Sequence, residues 1–132
     1  MFIFRNLPAI HLPAILVALA GVANTHAQEQ TQTVKLTIDY GDGVQKTFLN
    51  LEWKDKLTVF GALEAAQKHP RGIKVGHSGS GETIFIKAID DAENEGQGGR
   101  NWRYSVNGEG GRTSAGIAEL KPGDQILWRY AR

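Results

Sequence analysis

Residues able to do chemistry gather in three stretches of this 132-residue chain. The first is Asn101-Trp102-Arg103-Tyr104-Ser105-Val106-Asn107-Gly108. Trp102 and Tyr104 offer aromatic faces that can stack on a flat ligand. Arg103, with Arg100 just before it, offers a planar cation for a phosphate or carboxylate, and Asn107 offers an amide. Packing is the stronger explanation of the same residues, because strand aromatics generally fill a core and charged residues generally stay wet. The second stretch, Gly76-His77-Ser78-Gly79-Ser80-Gly81, sets a histidine beside a serine. Nucleophilic catalysis needs a base oriented by a third group and an oxyanion site. The spacing is not that of a glycine-x-serine-x-glycine elbow, and the stretch lacks the lysine of a phosphate loop. It reads as a mobile loop. The third stretch holds Asp91, Glu93 and Glu95 ahead of Gly96. Hard oxygens suit calcium, yet Trp102 stands where the closing bidentate glutamate belongs. His69 and His77 lack the i, i+4 spacing of a zinc pair. The chain has no cysteine, which removes disulfides, thiolate metal sites and a cysteine nucleophile. The expectation is a non-enzyme with no catalytic residue, no metal and no cofactor.

The elements that must position these residues follow from periodicity. Trp102, Tyr104 and Val106 alternate with Arg103, Ser105 and Asn107, the period of a strand with one buried face. Asn107-Gly108 suits a tight turn with positive φ. This strand is expected at the centre of one small sheet. Val34, Leu36 and Ile38 alternate in a first strand, Tyr40-Gly41-Asp42-Gly43 makes a turn, and Val44 to Trp53 returns as the second strand of a hairpin. Phe48 and Leu49 break the alternation, which predicts a bulge near Phe48. Thr58 is placed to cap a helix that carries Val59, Phe60, Leu63 and Ala66 at helical spacing and stops at His69, before Pro70. Thr83 to Ala88 is a further strand. Lys121-Pro122-Gly123-Asp124 signals a type II-like turn, and Gln125 to Tyr130 is the last strand, with Ile126, Trp128 and Tyr130 on one face. Two strands, one helix and about three more strands make an α+β domain. Its economical form is β-grasp-like, a small mixed or antiparallel sheet packed on one helix.

The opening of the chain gives its address. Arg5 is the only charged residue before Glu29, and an apolar run from Ile10 to Ala20 leads to Thr25-His26-Ala27. That is the pattern of a secretory signal peptide over residues 1–27, with Ala23 as the alternative cleavage point. The run is roughly half the length needed to span a bilayer, and Pro8 and Pro13 interrupt it. No transmembrane anchor is expected after cleavage, and the chain is expected to be secreted or periplasmic. Losing Arg5 leaves 14 basic against 14 acidic residues, so a nucleic-acid partner is not expected. The mature domain, residues 28–132, is long enough to bury a core without disulfides and is expected to be a monomer alone.

Ile38-Asp39-Tyr40-Gly41-Asp42-Gly43, the helix from Thr58 to Ala66, Trp102-x-Tyr104-x-Val106-Asn107-Gly108, Gly116-Ile117-Ala118 and Gly123-Asp124-x-Ile126-x-Trp128-x-Tyr130 occur in that order. Together they resemble the domain-of-unknown-function family DUF4430, also called transcobalamin-like C-terminal. The resemblance covers nearly all of residues 28–132. It implies a β-grasp-like domain similar to the small β-domain of animal cobalamin carriers, which closes over one face of a corrinoid held against a large helical domain. Carried over, the ligand-binding edge comprises Trp102, Arg103, Tyr104 and Asn107 with Ala115, Gly116 and Ile117. The sequence departs from those carriers in having no large helical domain, so it would supply one wall of such a site. The expected function is an exported ligand-binding module whose ligand is a small molecule, a corrinoid among them. The alternative is an envelope protein-interaction or structural domain with no small ligand.

Overall fold

A computed structural model of the protein describes residues 31–132. The expected signal segment, residues 1–27, lies outside the described residues. Strand β1 (Thr33–Asp39) turns Val34, Leu36 and Ile38 inward, and all three are fully buried. It pairs antiparallel with β2 (Gln45–Glu52). Val34 faces Leu51 and Leu36 faces Phe48, so Leu49 and Asn50 together oppose Lys35. Two residues against one is a bulge. It resets the phase so that both Phe48 and Leu51 are buried, while Leu49 points out with 65% of its surface exposed. The break in alternation therefore lies next to the residue where the sequence predicts it.

Helix α1 (Val59–Lys68) starts at Thr58, whose Oγ1 accepts the Gly61 N–H at 3.0 Å. Such a cap satisfies one of the four free donors of the first turn. Val59, Ala62, Leu63 and Ala66 are buried at spacings of three and four, the stripe that packs a helix on a sheet. His69 ends the helix ahead of Pro70, because the residue before a proline is pushed out of the α region.

Three further strands, β3 (Val75–Ser78), β4 (Phe85–Ile89) and β5 (Ala92–Glu93), form a small antiparallel sheet of their own. This differs from the single sheet expected, and the Gly76-His77-Ser78 part of the expected mobile loop is strand. Glycine has no side chain to enter an alternation pattern, which hides the strand from periodicity. Gly76 pairs with Ala88, and the chain leaves the ladder only at Gly79, where φ is +76°.

The main sheet has the order β2-β1-β8-β6-β7, where β6 is Asn101–Val106, β7 is Glu109–Gly110 and β8 is Gln125–Ala131. β1 and β8 run parallel and every other neighbouring pair is antiparallel, so the sheet is mixed. The Trp102 strand is thus one place in from an edge, and β8 holds the centre. β7 contributes two residues only, joined to β6 through Asn107 and Gly108 with φ of 51° and 83°. Both values are positive, as a type I′ hairpin turn requires. Small, sheet-dominated and carrying one α-helix, the described chain is an α+β fold. Among the described residues no helix is long and apolar enough to cross a membrane.

Candidate functional site

The strands β6 and β8 place their aromatic residues opposite one another on the core face. Trp102 faces Tyr130 and Tyr104 faces Trp128, with ring centroids 5.2 and 5.3 Å apart. Tyr40 meets Trp102 edge-on at 5.7 Å. The polar tips of these rings then tie the surrounding loops down. Trp102 Nε1 donates to the Ala92 carbonyl at 2.8 Å, Tyr104 Oη to Thr113 at 2.6 Å and Tyr130 Oη to Glu93 at 2.6 Å. The Trp128 Nε1 is buried with no hydrogen-bond partner, alone in this among side-chain nitrogens and oxygens of the described residues.

Beside this ladder, where the first residues of β4 approach β6, the two sheets leave a cleft of about 460 Å³. Trp102, Tyr104 and Trp128 line it on one side, Ile84, Phe85 and Ile86 on the other, and the chain from Gly110 to Ala115 borders it. Two side chains hold the walls at this spacing. Asn94 donates Nδ2–H to the Ile86 carbonyl and accepts the Trp102 N–H, each at 2.8 Å. Ser114 Oγ donates to the Ile84 carbonyl at 3.0 Å. Among the described residues, Arg103 is the one charged residue of the lining, and no carboxylate lies in ion-pair range of it.

Of the residues singled out in the sequence, Trp102, Arg103, Tyr104 and Ala115 converge on this cleft. Asn107 does not. Its Oδ1 accepts the Gln125 N–H at 2.9 Å and its Nδ2 donates to Asp124 Oδ1 at 2.8 Å, so the amide is spent on holding the β6–β7 turn to the start of β8. Gly116 and Ile117 also lie outside the lining. Gly116 packs so tightly on the turn at Gly81 that an added Cβ would come 2.0 Å from the Gly81 carbonyl oxygen. Gly116→Ala is therefore expected to destabilise the protein by about 1–3 kcal/mol through overpacking against backbone that has no rotamer to change; urea unfolding measures it. Ile117 stands 47% exposed.

Neither aromatic ring offers a free face to a flat ligand. Trp102 is 6% exposed and held between Tyr40 and Tyr130. Tyr104 has Trp128 as one neighbour and the Gly111 backbone so close that a Cβ there would sit 2.1 Å from the ring. What these residues present to the cleft is strand edge. Sequence reasoning missed Ile84, Phe85, Ile86 and Trp128; it included the loop from Asn107 to Gly116 in the binding edge without singling out Ser114. The outward phase of Phe85 in its strand was a usable signal for that residue; Ser114 gives none, since its role depends on a carbonyl thirty residues away.

The other two chemical stretches are taken up structurally. The His77 ring packs on Phe60 at 4.8 Å. His69 Nδ1 accepts the Arg71 N–H at 3.2 Å, and its ring meets Phe48. Glu95 accepts the Arg100 N–H, and Arg100 lies over the Tyr130 ring at 6.0 Å. No group of three histidine, aspartate or glutamate side chains comes together in a way that could hold a metal ion among the described residues.

The model of the family described as "Domain of unknown function (DUF4430)" matches residues 57–132, from just before α1 to one residue past β8. The chain belongs to the DUF4430 family. The match takes in every cleft residue named above and leaves the β1–β2 hairpin outside. No curated protein matches this DUF4430 chain. Among solved structures, it is similar to the crystal structure of a protein from Ruminococcus gnavus described as a "putative metal binding protein", with a TM-score of 0.60. The identity is 20%, and the alignment covers 76% of this chain and 97% of the other. That likeness is one of fold.

Proposed function

We propose that this DUF4430 domain is a non-enzymatic, exported ligand-binding module whose site is the cleft between β4 and β6. The single observation that carries the reading is the convergence of Trp102, Arg103, Tyr104 and Ala115 on one half-open cavity in which Arg103 is the one cation among the described residues. Binding sites combine an apolar lining with a few polar groups in this way. The fold is read as β-grasp-like. In support, the chain forms a hairpin, crosses by one helix, and returns with its last strand parallel to β1 and inside β6. Export rests on the pattern of residues 1–27.

The transcobalamin-like resemblance nominates a corrinoid as the ligand. A cavity of about 460 Å³ would engage one edge of so large a ring system, and a second wall would have to come from a partner. Titration of the full chain with cobinamide and cobalamin, followed by amide chemical shifts, tests this. Shifts at Arg103, Tyr104 and Ala115 are expected; no binding at millimolar ligand removes the corrinoid. The metal-binding description of the Ruminococcus gnavus protein finds no counterpart in a donor cluster among the described residues. A second reading, an envelope protein-interaction domain, draws support from β2. It is an eight-residue edge strand with Leu49 and the adjoining Val44 exposed at 65% and 53%, and open edges accept strands. A partner captured from envelope extract that is lost on Leu49→Lys and kept on Arg103→Gln would favour it.

A further inference from the structure

The cleft has a polar side that its apolar lining conceals. Peptide groups alternate in direction along a strand. On β6 the Asn107 N–H that follows the strand bonds the Gln125 carbonyl of the β8 side at 2.8 Å. By alternation Arg103 and Ser105 also face β8, while Trp102, Tyr104 and Val106 face the other way. β7 pairs only with Ser105 and Val106. Beyond it, the Tyr104 carbonyl accepts the Gly111 N–H at 2.9 Å, and the Trp102 N–H is taken by Asn94. That leaves the Trp102 carbonyl and the Tyr104 N–H on the cleft side of β6 with no strand among the described residues to pair them. An acceptor on one residue and a donor two residues on, both flanking Arg103, is the pattern that one residue of a parallel strand completes.

We propose that the cleft takes an extended peptide segment, parallel to β6, with an acidic residue opposite Arg103 and an apolar residue on each side of it. The proposal rests on reading the cleft as the binding site. The peptide residue opposite Arg103 donates its N–H to the Trp102 carbonyl and accepts the Tyr104 N–H. Paired residues in a sheet share a face, so its side chain lies beside the Arg103 guanidinium, which has no carboxylate among the described residues within ion-pair range. Its two neighbours turn to the opposite face, toward the aromatic and aliphatic lining made by Trp128, Ile84 and Ala115. Main-chain bonds supply affinity and alternate side chains supply selection, as in other strand-addition sites. Asn94 at one end and Gly111 at the other limit the pairing to a short segment.

The test uses the full chain and the peptide acetyl-Thr-Val-Glu-Val-Thr-amide. At saturation the Tyr104 amide is expected to exchange its hydrogen at least about tenfold more slowly, since it passes from an open edge to a ladder bond. Methylating the glutamate nitrogen of the peptide is expected to abolish binding, because the donor to the Trp102 carbonyl is lost. Replacing the glutamate by glutamine is expected to weaken binding about tenfold, the scale of one charge-assisted bond. In Arg103→Gln protein that tenfold difference disappears. Equal binding of the methylated peptide, or binding that leaves Tyr104 exchange unchanged, overturns the proposal. Failure of all peptides while cobinamide still shifts Tyr104 and Ala115 also overturns it and leaves the cleft as the site. If neither ligand perturbs those residues, the cleft reading falls as well.

Discussion

Trp102→Ala is expected to cost about 3–5 kcal/mol, the range for truncating a large buried aromatic, and to bring this small domain close to its unfolding threshold. The side chain is 6% exposed and contacts the rings of Tyr40, just past β1, and Tyr130 of β8. Its indole also holds the Ala92 carbonyl of β5, so it fastens the small sheet to the large one. Trp102→Phe keeps most of the ring and gives up that bond. Trp128→Phe, in the neighbouring pair of the ladder, removes a similar volume from a residue that is 3% exposed but gives up no bond, because Trp128 Nε1 has no partner among the described residues. The first change should therefore exceed the second by about 1 kcal/mol, the net worth of one hydrogen bond. Urea midpoints of the two variants measure the difference. Equal costs would mean that the Ala92 bond contributes nothing and that packing alone joins the sheets.

The same pair of tryptophans marks how far the sequence could be read. Period-two alternation identified β1, β6 and β8 and their buried faces, because each strand alternates apolar residues with residues that face out. The helix and its stop were legible from Thr58 and Pro70, which act through local backbone sterics and a local hydrogen bond. Strand order was not legible. Nothing in residues 101–106 says that β8 will take the central place, since that is decided by which strand covers which edge, a matter of residues far apart in the chain. The second sheet escaped for a different reason: Gly76 contributes to a ladder through its backbone and to no pattern through a side chain. The candidate cleft was half legible. Trp102, Arg103, Tyr104 and Ala115 came from the resemblance and meet on the cleft. Asn107 and Gly116 came from it too, yet one is occupied by Asp124 and Gln125 and the other by Gly81. The opposite wall, Ile84 with the first two residues of β4, leads into another sheet, and only the fold brings it near β6.

At the other end of the sheet, Asp90 is expected to set the acid limit of stability. It occupies the turn between β4 and β5 with φ of 50°, and its carboxylate gathers three donors from three segments. Tyr40 Oη donates to Oδ2, Lys46 Nζ reaches the same oxygen at 3.1 Å, and the Lys74 N–H meets Oδ1 at 3.0 Å. Burial works to raise the pKa of this carboxyl, but the bonds from Tyr40, Lys74 and Lys46 together outweigh it and hold the value below the ordinary carboxylate range. A depressed folded pKa means that the unfolded chain binds the proton more readily, so stability rises with pH across that window. The contribution is complete above the ordinary value near 4 and is lost as pH falls through the lower folded value. Tyr40 works in the opposite sense. Burial first, then its bond to Asp90, raises its pKa, so its contribution is complete below about pH 10 and disappears above. Between those limits Asp90→Ala is expected to cost about 3 kcal/mol, because hydrogen bonds to a charged group are individually worth about 1.5–3 kcal/mol and three that share one carboxylate do not add in full. Asp90→Asn tolerates the positive φ and keeps an acceptor while losing the charge. It should cost less than Asp90→Ala, and its stability should be flat with pH below 5 where the parent protein weakens. Unfolding curves of the three proteins from pH 2 to pH 7 decide it. A parent curve that stays as flat as that of the asparagine variant would show that the three donors do not favour the charged carboxylate.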